Sequence, residues 1–286
     1  MNHESTPLTP GAPLTAGNGR VKEARKLSRR SVRTERRLFL ADGPKAVEGA
    51  LGVPDCVVEV FATPAASRAY ADVLASARLV TLVDDRAMAS LSDSVSPAGV
   101  VALCRHLDVP LEEAVSAAAG QPRLLVICAD VRDPGNAGTV IRTADAAGAA
   151  GVVLAGQSVD LYNPKTVRAS VGSAFHLPIA IESDAAAAVD AARAAGYTVL
   201  AADGSGELDL FDAELAGPTA WLFGNEAWGL PDELAALADH RVAIPIHGRA
   251  ESLNLSTATA VCLYASAQAQ RAARGSVGTA RDAGAH

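Results

Sequence analysis

Six apolar runs, Leu124–Ala129, Val152–Ala155, Leu177–Ile181, Thr198–Ala202, Ala220–Phe223 and Val242–Ile246, constrain most strongly what this chain can fold into. Each is short for a helix and lacks the alternation of a half-wet strand, so each reads as a strand buried on both faces. Alanine-rich segments of helical character separate them. Such alternation builds a parallel sheet covered by helices on both sides. In that architecture ligands settle beyond the carboxyl ends of the strands, where loop backbone can approach them, and Gly224, Gly229 and Gly248 fall at such ends.

The first part of the chain follows a different rhythm. From about Val21 a basic helix leads to a strand at Arg37–Ala41, a helix at Pro44–Leu51 and a strand at Cys56–Ala62. Helical segments at 65–77 and 86–92 then alternate with strands at 78–83 and 99–104, which predicts a smaller α/β unit over residues 21–106. Residues 107–122, with Pro110, Gly120 and Pro122, read as a linker to a larger domain over 123–273. Residues 1–20 are rich in Pro, Gly, Ser and Thr, and 274–286 have little to bury, so both ends read as disordered tails.

Charge is distributed unevenly. The chain carries a net charge of −7, yet residues 20–37 hold nine Lys or Arg against Glu23 and Glu35. That local excess suits either a solvated helix face or a nucleic-acid contact. Cys56, Cys104, Cys128 and Cys262 are widely spaced, without a Cys-x-x-Cys pair, so neither a zinc site nor a disulfide framework is expected. No run reaches the roughly 18 apolar residues of a membrane span, and the polar start lacks the apolar stretch of a signal peptide. The expectation is a soluble, cytoplasmic protein without metal or membrane.

Three short motifs carry chemistry. The first, Asn136-Ala-Gly-Thr-Val-Ile-Arg142, follows a buried strand and opens a helix. It lacks the Gly-x-Gly-x-x-Gly of a dinucleotide fingerprint and the acidic residue expected after the next strand, which argues against a nicotinamide dehydrogenase. Taken alone, Asn136 could cap the helix and Arg142 could be a solvated side chain. The second motif is Phe223-Gly-Asn-Glu226, whose carboxylate could favour a helix start. The third, Ser252-Leu-Asn254, opens the last long helix, and either polar residue could be its N-cap. Lys165 and Arg168 add positive charge near another helix start, suiting a surface helix end or RNA contact.

Together and in this order, the three motifs resemble the SpoU (TrmH) family of RNA ribose 2'-O-methyltransferases. The resemblance is firm over 123–271 and looser over 28–50. It implies an α/β methyltransferase domain with a deep trefoil knot, the chain after about Trp221 threading an earlier loop, beside a smaller N-terminal α/β RNA-binding domain. It implies S-adenosylmethionine as cofactor, held at Gly224, Ile244 and Leu253, with Ala202 and Phe223 as neighbours. Asn136, Arg142, Glu226, Ser252 and Asn254 would form the catalytic network, with Arg142 beside the methyl donor and the ribose.

Because a guanidinium is not deprotonated under ordinary conditions, clamping of RNA by Arg142 is preferred here to proton abstraction. Arg29, Arg30, Arg33, Arg36, Lys165 and Arg168 would face RNA. The apolar character of the last helix, with Leu253, Leu255, Val261, Leu263 and Tyr264, fits the homodimer usual in the family. An accessory domain favours ribosomal over transfer RNA as substrate; a transfer RNA enzyme and a non-catalytic RNA-binding protein on the same fold are the alternatives. One departure stands out, since the family commonly has Glu-Gly-Pro after the first strand and this chain reads Asp42-Gly43-Pro44.

Overall fold

The computed structural model describes residues 12–116 and 123–282, with side chains of the last helix described as far as Arg274. Residues 1–11 of the expected first tail, 117–122 of the expected linker and 283–286 of the expected last tail lie outside the described residues. The chain divides into two compact units, one made of residues up to Leu107 plus Asp160–His176, the other of Asp108–Val159 and Leu177 onward.

In the first unit, α1 (Gly19–Arg25) and α2 (Arg30–Arg36) precede β1 (Leu38–Asp42), α3 (Pro44–Leu51), β2 (Val57–Ala62), α4 (Pro64–Ala69), α5 (Ala71–Leu74), β3 (Val80–Leu82), α6 (Asp85–Leu91) and β4 (Val100–Arg105). The sheet order is β1-β4-β2-β3. β4 runs antiparallel to both neighbours, and β2 pairs β3 in parallel. The basic helix expected as one piece is interrupted by a 3-10 turn at Lys26–Ser28 and an extended Arg29. Arg33 satisfies the break, its guanidinium Nη1 donating to the carbonyls of Leu27 (2.8 Å) and Ser28 (2.9 Å), groups an unbroken helix would have consumed. Residues ahead of α1 are anchored too, because Leu14 N–H donates to the Leu82 carbonyl.

Residues 160–176, which chain order would assign to the larger domain, belong to this first unit. Tyr162 and Phe175 pack on Phe39 with ring centroids 4.6 and 6.1 Å apart, and Asp160 accepts from Arg33 Nε at 3.0 Å.

The second unit contains α7 (Leu111–Val115), β5 (Leu124–Ala129), α8 (Pro134–Ala147) and β6 (Gly151–Ala155). After the excursion that includes α9 (Pro164–Ala169), it continues with β7 (Ile179–Glu182), α10 (Ala185–Ala194), β8 (Thr198–Ala202), β9 (Leu208–Asp209), β10 (Thr219–Phe223), α11 (Asp232–Ala235), β11 (His240–Ala243) and α12 (Leu255–Asp282). Seven strands form one sheet in the order β7-β6-β5-β10-β8-β11-β9, with every named pair parallel.

Each expected strand is present, with one adjustment. The last one stops at Ala243 rather than Ile246, because Pro245 has no N–H to give the ladder. The expected tail from residue 274 continues α12 to Asp282, since no proline interrupts it and each of its two glycines, at 275 and 278, costs a helix only about 1 kcal/mol. The core is built from the strands themselves, with Leu125, Ile127, Val153, Val199 and Leu222 fully buried. Trp221 is also fully buried and donates from Nε1 to Ser266 on α12 at 2.9 Å.

The chain leaves β5 toward β6 on one side, while β10 flanks β5 on the other. That reversal opens a crevice beyond the carboxyl ends of β5 and β10, the usual ligand position in an open parallel sheet. Among the described residues no helix is long and apolar enough to cross a membrane, and no group of three or more His, Cys, Asp or Glu could hold a metal ion.

Candidate functional site

Two loops at that crevice hold the polar residues. The first leaves β5 through Asp130, in the left-handed region at φ 57°, and ends at Asp133. Asp133 is the N-cap of α8, its Oδ1 accepting from Asn136 N–H at 2.8 Å, and Pro134 takes the first helical position. Asn136 is therefore not the cap, and its side chain is available for other partners.

The second loop leaves β10 at Gly224 and closes on itself through reciprocal backbone hydrogen bonds between Asn225 and Gly229, both 2.9 Å. A β-carbon on Gly224 would fall 2.3 Å from the carbonyl carbon of Gly229 and 2.5 Å from Leu230 N. Glycine at 224 is thus required by the fold-back of the turn.

Glu226 joins the two loops. Its Oε2 accepts from Arg132 N–H at 3.1 Å, and its Oε1 from Asp133 N–H at 3.0 Å and Asn136 Nδ2 at 3.2 Å. Asn136 Oδ1 in turn accepts from Asn254 Nδ2 at 3.1 Å. Asn254 also caps α12, its Oδ1 accepting from Ser256 N–H (2.9 Å) and Oγ (2.6 Å). Asn225, buried and unremarked in the sequence beyond its motif, ties the loops a second time by donating from Nδ2 to the Asp130 carbonyl at 2.7 Å.

Partial burial works against the Glu226 charge, yet the Arg132 and Asp133 N–H groups and the Asn136 amide outweigh it and hold the carboxyl below its ordinary value. Glu226 is therefore a committed anion that orients its neighbours, with little capacity to accept a proton near neutrality. Cys128, at the end of β5, is pushed up to about 12 by burial, with the Glu226 charge adding to the shift.

Beside this network lies a cleft of about 300 Å³, lined by the ends of β8, β10 and β11 and by the entry to α12. That volume is at the lower end of the range for small-molecule sites. All five residues expected at a cofactor, Ala202, Phe223, Gly224, Ile244 and Leu253, line it. So do Val242, Ile246, Leu255 and Ala258 on the apolar side, and Asp203, Glu226, Glu251 and Ser252 on the polar side.

Asp203 is shielded by burial, but Ser205 and Arg241 more than compensate and lower its pKa. The Arg241 Nε–Oδ2 distance is 3.0 Å. An apolar wall with turn backbone and few uncommitted charges suits the adenosine and methionine parts of a sulfonium nucleoside. The Glu226 and Glu251 carboxylates on the lining suit its positive centre.

Arg142 lies on the exposed face of α8, outside the cleft lining, and makes no hydrogen bond or ion pair among the described residues. Six residues of helix turn it roughly a third of a revolution away from Asn136. Ser252 is exposed on the lining.

In the first unit Arg29 and Arg30 are exposed and unpaired among the described residues. Arg36 is exposed and bonded to Glu23 at 2.8 Å, and Lys165 is exposed. Arg33 corrects the expectation of an RNA contact. It is 3% exposed, and its guanidinium is consumed by Asp160 and by the carbonyls ending the preceding turn. Arg168 is half-buried and engaged by Asp93, with Asp42 at 3.9 Å. Burial raises the Asp42 pKa against the opposing pull of Ser92 and Arg168. Lys22 and Arg25, which sequence reasoning did not single out, are exposed and unpaired among the described residues. The i, i+3 spacing of buried Val21, Ala24 and Leu27 was the available signal.

Comparison with known proteins adds an independent line. Residues 123–264 match the SpoU rRNA Methylase family, and 18–102 match an MRM3-like substrate binding domain. The chain is 32% identical over 250 residues, 87% of this chain and 96% of the relative, to the 23S rRNA (guanosine(2553)-2'-O)-methyltransferase RlmP of Bacillus subtilis (strain 168). Among solved structures, it is similar to an AdoMet-bound rRNA methyltransferase from Sinorhizobium meliloti. That similarity has a TM-score of 0.79 and 35% identity and covers 90% of this chain and 97% of that one. It is similar as well to the SpoU methyltransferase AviRb from Streptomyces viridochromogenes, with a TM-score of 0.78 and 30% identity, covering 90% and 99%.

Proposed function

This chain belongs to the SpoU rRNA methylase family, and on that premise we infer how its residues share the work of S-adenosylmethionine-dependent 2'-O-methylation of a ribose in ribosomal RNA. The single observation that carries the assignment is the Glu226–Asn136–Asn254 chain of hydrogen bonds beside a cleft lined by all five expected cofactor residues. When bound, the cofactor supplies an electrophilic methyl on a sulfonium; the protein has to hold it, align the ribose hydroxyl behind the methyl and accommodate the departing proton. Alignment alone can lower such a barrier by several kcal/mol.

Ala202, Phe223, Ile244 and Leu253 give the cofactor its apolar seat, and the turn at Gly224 supplies backbone. Glu226 fixes Asn136, which fixes Asn254, so that two amides and the neighbouring Ser252 hydroxyl are ordered where the ribose enters. Arg142, unpaired and in solvent, is assigned to the ribose or an adjacent phosphate, stabilising charge rather than accepting a proton. Exposed Lys22, Arg25, Arg29, Arg30, Arg36 and Lys165 are assigned to RNA phosphates.

The first unit serves as the RNA-binding domain. Ribosomal RNA as substrate implies a cytoplasmic enzyme. A homodimer through α12 is supported by Tyr264, 54% exposed on that helix. The trefoil knot is supported by this chain's likeness to solved SpoU methyltransferases, whose fold typically carries it.

The test is labelled-methyl transfer from S-adenosylmethionine to unmodified large-subunit ribosomal RNA, with transfer RNA as control. Wild type should label ribosomal RNA, and Arg142→Ala should lose most of that activity while retaining cofactor affinity. If wild type binds cofactor and RNA but transfers no methyl, the catalytic reading gives way to a binding protein on this fold.

A further inference from the structure

Trp228 is unexplained by anything above. It sits in the turn between Glu226 and Gly229, and 61% of its surface is exposed. Its neighbours Ala227 and Gly229 line the cleft, and its own exposed indole is not part of that lining. Leaving a tryptophan in water forgoes about 2 kcal/mol or more of burial, and this exposure is built in rather than loose. The turn is closed by the two Asn225–Gly229 backbone bonds, Asn225 Oδ1 accepts from Ala227 N–H at 2.8 Å, and Gly229 takes φ 71° to complete it. Nine large apolar residues are left exposed among the described residues, and three of them, Trp228, Ile246 and Leu253, belong to the segments that form this cleft.

We propose that Trp228 is a stacking platform for a nucleobase of the RNA at or next to the methylated nucleotide. The inference rests on the RNA-methylating function assigned above. A ribose hydroxyl can be brought in line with a methyl group at the bottom of a cleft only if its nucleotide leaves the stack, and an unstacked base is held by aromatic faces. Aromatic residues make up only 4% of this chain. Trp228 lies two positions from Glu226, the residue that organises the site, on a turn closed by backbone hydrogen bonds. A second copy of the chain is the rival occupant. The dimer face assigned to α12 has its own exposed aromatic in Tyr264 and does not require Trp228.

The experiment uses the full chain and an unmodified 23S ribosomal RNA transcript. The only other tryptophan, Trp221, is fully buried, so tryptophan fluorescence that responds to RNA reports on Trp228. The transcript should quench wild-type fluorescence, and Trp228→Phe should abolish that signal while keeping most of the RNA affinity through its own ring. Trp228→Ala should raise KM for the transcript about five- to hundred-fold, as expected for one lost base stack, with little change in kcat or cofactor affinity.

Absence of quenching in wild type, or an unchanged KM in Trp228→Ala, overturns the proposal. A change of sedimentation in Trp228→Ala with KM unchanged overturns it in favour of a second copy. Quenching without any methyl transfer by wild type would leave the stacking role standing and sink the assigned activity instead.

Discussion

Glu226→Gln preserves side-chain size and removes the charge that holds two loops together. The carboxylate accepts three hydrogen bonds, from Arg132 N–H, Asp133 N–H and Asn136 Nδ2, at 3.1, 3.0 and 3.2 Å. Glutamine has one acceptor oxygen and places an amide donor where the other oxygen stood, so at least one backbone N–H loses its partner. A hydrogen bond to a charged group is worth about 1.5–3 kcal/mol when buried, but Glu226 is exposed enough for water to replace much of it, which leaves about 1 kcal/mol. In a chain of this size that corresponds to a fall of about 2–4 °C in Tm.

The effect on catalysis should be larger. Asn136 and Asn254 lose their reference point, and misplacing aligned groups by about 1 Å can cost on the order of 100-fold in rate. The folded Glu226 carboxyl is held below 4.5, so its stabilisation is complete above that pH and is lost as pH falls through the lowered folded value. The gap in Tm between wild type and Glu226→Gln should therefore be full at neutral pH and shrink on acidification. Calorimetry across pH, with methyl incorporation at neutral pH, measures both. Wild-type turnover in Glu226→Gln, or a Tm gap indifferent to acid, would refute the reasoning.

Other consequences follow from the same geometry. Gly224→Ala puts a methyl 2.3 Å from the Gly229 carbonyl carbon; it should destabilise by about 1–3 kcal/mol and weaken S-adenosylmethionine binding in titration calorimetry. Arg33→Ala strands Asp160, whose side chain is 13% exposed, and should cost about 3–5 kcal/mol in chemical denaturation. Arg30→Ala should leave stability within about 0.5 kcal/mol and instead lower RNA affinity and the slope of its salt dependence; equal effects of the two on RNA affinity at matched stability would overturn the distinction. All four cysteines are buried and unbridged, with Cys128 and Cys262 pushed up to about 12 by burial and Cys56 lowered by its hydrogen bond with Cys104, so it is inaccessibility that should leave a disulfide reagent no rapidly reacting thiol in the native protein and four after unfolding.

Strand positions and the presence of helices between them were legible in the sequence because they depend on near neighbours. An apolar run of five residues is a buried strand wherever it sits in a parallel sheet. That a helix follows β5 was readable too, but its cap was not: Asn136 was the candidate by composition, and Asp133 takes the role by accepting from Asn136 N–H. Ala202, Phe223, Gly224, Ile244 and Leu253 were reached through the family resemblance rather than through periodicity, and all five line one cleft. Long polar side chains were another matter. Nothing local distinguishes Arg33 from Arg30, yet one is buried against an aspartate 127 positions away while the other stays in water. Arg168 likewise meets Asp93, 75 positions distant. The steric need for glycine at 224, the turn folding back onto Gly229, exists only in three dimensions. Apolar pattern is short-range and written along the chain, whereas the partner of a charge, and so its role, is settled only when distant segments are brought to the same place.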